Sequence, residues 1–468
     1  MRFGGNMIKL LETINEFVWG IPALVLILGI GLYLSIRTGF AQFTLLPKAF
    51  AAFKRQFVRK SENPDGISPY RALCTALAAT VGTGNLAGVA GAIAIGGPGS
   101  IFWMWICAIF GMVTKFAEAT LAIRYRVKNA AGEYVGGPMY MISRGLGNKW
   151  KWLAAVYCFF GVVASFGVGN ATQINAVIGG INSAVTALGG DSSYRGNLFL
   201  GILLAVLITV LLLGGAKRIG SIAERLVPFA SVGYLLLGIV VLVMKAEEIP
   251  GAFSAIIQGA FAPKAVTGGM LGSAFVALRI GASRGVFTNE AGMGTASIAH
   301  AAAQVEHPVQ QGLMGIMEVF LDTIVICTMT ALVILCSGVQ IPYGTDTGII
   351  LTTQAFSTVC GDWVCVPIAL ALCCFAIATV LGWGLYGARC AQYLFGENAW
   401  KIFVFFQAGT VILGAMLGTG TVWMLSEIVN GLMAIPNLIA LAWLSPELVR
   451  LTKEYKKSPT LRSGSRKY

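Results

Sequence analysis

Charge is what this chain lacks. Of its 468 residues only 11% are charged, against 56% from the hydrophobic set. A soluble domain carries roughly a quarter charged residues, because its surface must meet water. With half that share over so long a chain, lipid must cover much of the surface. Histidine is nearly absent, with only His300 and His307, so no Cys/His pattern with metal-ligand spacing can be drawn. The ten cysteines lie mostly inside apolar runs, as at Cys74, Cys107, Cys158, Cys327, Cys373 and Cys374. They read as small packing residues; Cys360 and Cys365 flank an expected outer loop and form a candidate disulfide. No clustered nucleophile, base and metal ligands appear, which argues against an intramembrane enzyme. The first apolar run lacks the pattern of a cleavable signal peptide, and none is expected.

What is present is glycine, 59 residues of it, and a net charge of +13. The basic residues do not form a nucleic-acid-binding face. They fall in short clusters between apolar runs: Lys54, Arg55, Arg59 and Lys60; Arg124, Arg126 and Lys128; Lys217 and Arg218; then Lys453 to Lys467. A helix crossing the hydrocarbon needs about 20 apolar residues. Eleven segments qualify, near 17–36, 72–95, 100–123, 151–185, 197–214, 219–244, 270–304, 312–337, 365–388, 399–416 and 419–445. Two of these, 151–185 and 270–304, are long for one crossing and imply tilt, a break or an interfacial extension. Alternate loops are basic, and those between carry Asp191, Glu247, Glu248, Asp346 and Asp362. Placing the basic loops in the cytoplasm puts the N-terminus outside and the C-terminus inside. The expected protein is an all-α, multi-pass protein of the cell membrane.

The second segment reads Ala78-Ala79-Thr80-Val81-Gly82-Thr83-Gly84-Asn85-Leu86-Ala87-Gly88. Two glycines weaken the helix at mid-membrane depth, where three polar side chains are also on offer. Loosened backbone is tolerated there only inside protein or along a cavity. An unwound turn offers amides to an anion and carbonyls to a cation. Five segments later, Asn289-Glu290-Ala291-Gly292-Met293-Gly294-Thr295 repeats the theme. Gly82-Thr83-Gly84-Asn85 aligns on Gly292-Met293-Gly294-Thr295, pairing both glycines and the polar residue after them. Interrupted helices at matching places are the mark of two inverted halves. Five is odd, so the second half enters the membrane in the opposite sense. The expected plan is an extra helix at 17–36, a first repeat at about 72–244, a second at about 270–445, and a cytoplasmic tail at 446–468. Polar groups gathered at two breaks suit a fixed-site transporter better than a channel, which would need a continuous polar stripe.

Taken together, these residues resemble the alanine/glycine:cation symporter family, the sodium:alanine symporters, along nearly the whole chain. The strongest local match is Gly96-Gly97-Pro98-Gly99-Ser100-Ile101-Phe102-Trp103-Met104-Trp105. Gly136-Gly137-Pro138-Met139-Tyr140, the Gly281–Ala302 block and Leu381-Gly382-Trp383 also match. The resemblance implies the fold of neurotransmitter–sodium symporters, with two inverted five-helix repeats. It implies uptake of alanine or glycine driven by sodium, with no organic cofactor and no obligate protein partner. Proton coupling on the same fold is the alternative.

By that resemblance the substrate carboxylate meets the amides of Thr83 and Gly84, beside Thr80 and Asn85. Gln173, Asn289 and Trp383 complete the expected substrate site, the indole limiting side-chain size. The implied sodium ligands are the carbonyls of Ala78, Val81 and Ala376 with the hydroxyl of Thr379. Ala378 stands where relatives often carry serine, which removes one oxygen. Asn170 reads as an interhelical link. Charges inside the membrane are functional candidates, and Glu118, Arg279, Arg284, Glu290, Glu318 and Asp322 qualify. Glu118, beside Lys115, reads as structural, and Glu290 is expected to pair with Arg279 or Arg284. His300 reads as a polar packing group.

Overall fold

The computed structural model describes residues 11–58, 67–262, 274–416 and 420–457, apart from 12, 16, 17, 188, 192, 346 and 347. Arg59, Lys60, Asp346 and the tail beyond 457 lie outside the described residues. An apolar chain in lipid can satisfy its backbone only within helices, and helix is what the chain forms. Ile21–Thr38 (α1) is followed by the amphipathic Leu46–Val58 (α2). Pro69–Thr80 (α3) and Val89–Gly96 (α4) flank the first glycine segment, and Gly99–Tyr125 (α5) returns. Lys151–Phe166 (α6) and Thr172–Ala187 (α7) are joined by a π-turn at Gly167–Ala171, so the first over-long segment runs on as one helix of 39 residues, Asn148–Thr186. Tyr194–Leu213 (α8), Gly215–Met244 (α9) and the shorter Ile249–Phe261 (α10) follow. Ala274–Asn289 (α11) and Thr295–His300 (α12) flank the second glycine segment, so the other over-long run is the broken one. Pro308–Val319 (α13) and Thr328–Cys336 (α14) are joined through a π-helical stretch at Phe320–Cys327. Ile349–Cys360 (α15), Cys365–Phe395 (α16), Ala399–Met416 (α17), Gly420–Trp443 (α18) and the amphipathic Ser445–Lys457 (α19) complete the order.

Seven helices among the described residues are long and apolar enough to cross a membrane, and two bent pairs reach that standard together. The first pair, 69–80 with 84–96, bends by 53°. The segment 274–300 falls short of the standard because it is interrupted and carries Arg279, Arg284 and Glu290.

Two packing groups emerge. In one, α5 lies against α11, α13 and α12, with α3 and α4 closing on the same helices. In the other, α16 lies against α6, α7 and α17, and α8 against α17. Glycine permits the closest approaches: a Cβ at Gly281 would stand 2.3 Å from the Ser100 carbonyl oxygen, and one at Gly315 2.7 Å from that of Lys115. Such small-residue contacts replace the hydrophobic drive that lipid does not supply. The broad faces of α8 and α9 carry Phe199, Leu203, Val206, Phe229, Leu236 and Val243 outward, the surface lipid would cover. Cys360 and Cys365 are both free thiols, and Cys365 meets the Ser357 hydroxyl at 3.3 Å. The candidate disulfide is therefore not formed, and the Cys365 sulfur is turned to Ser357 instead.

Candidate functional site

The first break begins at Val81, whose backbone turns extended (φ −76°, ψ 98°). In a continuing helix the Gly82 amide would close on the Ala78 carbonyl, and the Asn85 amide on that of Val81. Neither does. The Gly82 amide donates to Oδ1 of Asn85 at 2.8 Å, and the Asn85 amide reaches the Gly82 carbonyl at 3.3 Å. The four carbonyls from Ala78 to Val81 thereby lose their helical donors, the expected ligands Ala78 and Val81 among them. The chain resumes as a π-turn at Gly84–Gly88, so the amides of Thr83 and Gly84 stand in a first turn with no preceding carbonyl to meet.

A Cβ on Gly82 would lie 2.6 Å from Oγ1 of Thr379 and 3.4 Å from Oε1 of Gln173. The first break, α16 and α7 thus converge on one point. Thr379 donates to the Phe375 carbonyl at 2.9 Å, leaving its lone pairs to accept. Gln173 donates to the Val168 carbonyl at 3.1 Å, at the π-turn between α6 and α7. Its Oε1 is buried with no hydrogen-bond partner, as is Oγ1 of Thr83. Thr80 points back to its own helix, 3.4 Å from the carbonyls of Ala76 and Leu77. Ala376 lies on α16 one turn before Thr379, and Ala378 beside it is buried and apolar.

One turn beyond Thr379, the indole of Trp383 covers Gly169, where a Cβ would stand 2.4 Å from that of Trp383. Its Nε1 donates to Oε1 of Glu290 at 2.8 Å, across the two packing groups. Glu290 does not pair with an arginine. Its other oxygen accepts from Thr295 at 2.6 Å, and Arg284 pairs with Glu427 at 3.1 Å. The expected ion pair fails because Glu290 sits in the left-handed region (φ 52°), which turns its side chain off the α11 face that carries the arginines. Such a conformation costs a non-glycine residue about 1–2 kcal/mol, offset here by two side-chain hydrogen bonds.

At the second break the amides of residues 290–294 are all engaged. Those of Glu290 and Met293 meet backbone carbonyls, and that of Ala291 meets Oδ1 of Asn289 at 3.0 Å. Gly292 and Gly294, both left-handed (φ 94° and 78°), aim their amides at one oxygen of Glu118, each at 3.0 Å. Asn437 on α18 donates to the same oxygen at 2.7 Å and to the Gly292 carbonyl at 2.9 Å. Sequence reasoning placed Glu118 beside Lys115 and missed this task. Lys115 instead pairs with Glu318 at 3.0 Å, and Glu318 meets His300 at 2.8 Å. The signal for Asn437 was an amide directly after Pro436 in an apolar helix, where an asparagine is easily taken for packing. Asn170 links α17, donating to the backbone and side-chain oxygens of Gln407 at 2.9 and 2.8 Å.

Comparison with known proteins matches residues 5–467 to the sodium:alanine symporter family. The chain belongs to that family. The sodium/alanine symporter AgcS of Methanococcus maripaludis is 43% identical over 457 residues, covering 96% of this chain and 97% of that one. The probable sodium/glutamine symporter GlnT of Bacillus subtilis is 36% identical, covering 94% and 89%. A crystal structure of MhsT in complex with L-phenylalanine matches with a TM-score of 0.56 at 15% identity, over 83% of this chain and 98% of that one. At that identity the likeness carries the fold alone, an all-α membrane fold with broken helices. This member of the family is a multi-pass membrane transporter, not an enzyme.

Proposed function

We propose that this chain imports a small neutral amino acid, alanine or glycine, with sodium by alternating access. The observation that carries the reading is the asymmetry of the two breaks. Within 290–294 every amide is engaged, those of Gly292 and Gly294 by the Glu118 carboxylate, whereas the first break presents the amides of Thr83 and Gly84 to a substrate carboxylate with no carboxylate of the protein on them. Gln173 offers its unpartnered oxygen to the ammonium, with the Thr83 hydroxyl beside it. The Trp383 indole bounds the side chain, and Thr80 lines the helix end behind. Asn85 and Asn289 act from behind as well, since both ends of each amide are engaged.

Sodium, a hard cation, takes oxygen ligands. The carbonyls of Ala78 and Val81, freed at the break, fit it, with the hydroxyl of Thr379 against Gly82 and the carbonyl of Ala376 on the same helix. When bound, the ion would supply positive charge next to the amides that hold the carboxylate. We assign the inverted halves to about 72–244 and 270–445, with 17–36 outside the repeat, and place the N-terminus outside and the C-terminus in the cytoplasm of a cell membrane. The loop charges support that orientation.

The test is alanine uptake into proteoliposomes under imposed sodium, lithium, potassium or proton gradients. Sodium-specific, saturable accumulation is expected. Accumulation driven by protons alone would discard the Thr379 site in favour of Glu290, a buried carboxylate hydrogen-bonded to Trp383 beside the same pocket.

A further inference from the structure

Between the two breaks runs an unbroken line of hydrogen bonds through one carboxylate. The Gly82 amide donates to Oδ1 of Asn85. Nδ2 of Asn85 donates to Oδ1 of Asp322 at 2.7 Å. Oδ2 of Asp322 accepts from the Thr323 hydroxyl at 2.8 Å, and that hydroxyl accepts from Nδ2 of Asn289 at 3.2 Å. Oδ1 of Asn289 receives the Ala291 amide at 3.0 Å. All four side chains are fully buried.

The direction of every bond follows from its ends. A backbone amide can only donate, so Gly82 and Ala291 fix which way Asn85 and Asn289 face. Both amide nitrogens must then point inward. Thr323 accepts from one of them and sends its own proton to Asp322. The carboxylate therefore accepts on both oxygens, drawn on from both breaks at once. Asp322 and Thr323 lie in the π-helical stretch at Phe320–Cys327, a local widening common at functional positions.

We infer that Asp322, through Thr323, is a positioning residue that makes the two breaks move as one body, carrying a change at the first break to the second. The line lies wholly within the packing group of α3, α5, α11 and α13. Glu290, on the same second break, reaches across to Trp383 in the other group. A shift of Gly82 on loading thus has a mechanical route, by way of Asp322 and Asn289, to the contact between the groups. The inference rests on the transport reading for its consequence but not for its geometry.

Two measurements test it. Thr323→Val keeps the shape and removes the hydroxyl. In proteoliposomes it should lower the maximal rate of alanine uptake about tenfold, the scale of a lost hydrogen bond to a charged group, while leaving the KM for alanine near the wild-type value. Thr323→Ser should restore the rate. The second measurement needs no transport: hydrogen exchange of the peptide spanning 289–295. Asn85→Ala should raise exchange there in the wild-type background and add nothing in Thr323→Val. Equal exchange responses in both backgrounds, or wild-type rates in Thr323→Val, would overturn the inference. Failure of the wild-type protein to take up alanine, with the exchange coupling intact, would instead remove the transport reading and keep the link.

Discussion

Glu118 is the residue whose removal should most damage the second break. One of its oxygens accepts from the amides of Gly292 and Gly294 and from Asn437. Glu118→Ala would leave three buried donors unpaired. Each costs about 1–3 kcal/mol when unsatisfied, or roughly 3–9 together. Removing a buried charge returns part of that as relief from desolvation. A net loss on the order of 3–5 kcal/mol remains, a large share of a typical folding free energy. Glu118→Gln keeps an acceptor oxygen in place, and its new nitrogen falls where the second carboxylate oxygen has no partner. Its cost is that buried, unpaired nitrogen, about 1–3 kcal/mol, with the weaker neutral acceptor offset by relief from desolvation. Thermal unfolding of the purified protein in detergent should rank wild type above Gln and Gln above Ala, with uptake in the same order. A Glu118→Ala protein with wild-type melting and transport would refute the capping argument.

Gly82→Ala would set a methyl group 2.6 Å from the Thr379 hydroxyl; overpacking of about 1–3 kcal/mol should raise the KM for sodium about tenfold, and an unchanged sodium dependence would separate that contact from the ion. Trp383→Phe removes the donor to Glu290 and some ring volume, so uptake of alanine should fall while competition by larger neutral amino acids improves; identical competition profiles would dissociate the indole from substrate size. At the membrane surface, hydrogen bonds from Arg450 and Arg124 pull the Glu447 carboxyl down to about 2, against burial that pushes the other way. The contribution is present above the ordinary carboxylate value near 4.3 and is lost as pH falls toward 2. Proteolysis within 445–457 should therefore accelerate between pH 5 and pH 3 in wild type, and an equal acceleration in Glu447→Gln would refute it.

The helices were legible because lipid demands long apolar runs, and the breaks because glycine and polar residues in such runs have few other uses. The 290–294 interruption was readable in Gly292 and Gly294, whose left-handed angles suit glycine. Glu290 was not, since nothing in its identity announces a positive φ, and that angle decides whether it faces Arg284 or Trp383. The roles of Asn85 and Asn289 were half legible. Sequence put each at a break, but whether an amide meets a ligand or the backbone depends on which acceptor the fold brings near. Asp322, Glu118 and Asn437 belong to helices distant in sequence, and their convergence is a property of packing alone.

That convergence explains how two halves alike in sequence pattern can serve different ends. Inverted repeats would give equivalent breaks, each with free amides able to hold a carboxylate, and a single carboxylate ligand would then have two competing poses. The fold removes the competition with a carboxylate of its own. Glu118 occupies the Gly292 and Gly294 amides of the second break, and Asn289 takes that of Ala291. At the first break the side chain that takes an amide, that of Gly82, is Asn85, an uncharged group. The neutral cap holds the nearest carboxylate, Asp322, one side chain away from the amides of Thr83 and Gly84 instead of on them. The partition follows from where the chain places its charge: one carboxylate sits directly on the amides of the second break, and another stands one asparagine away from the first.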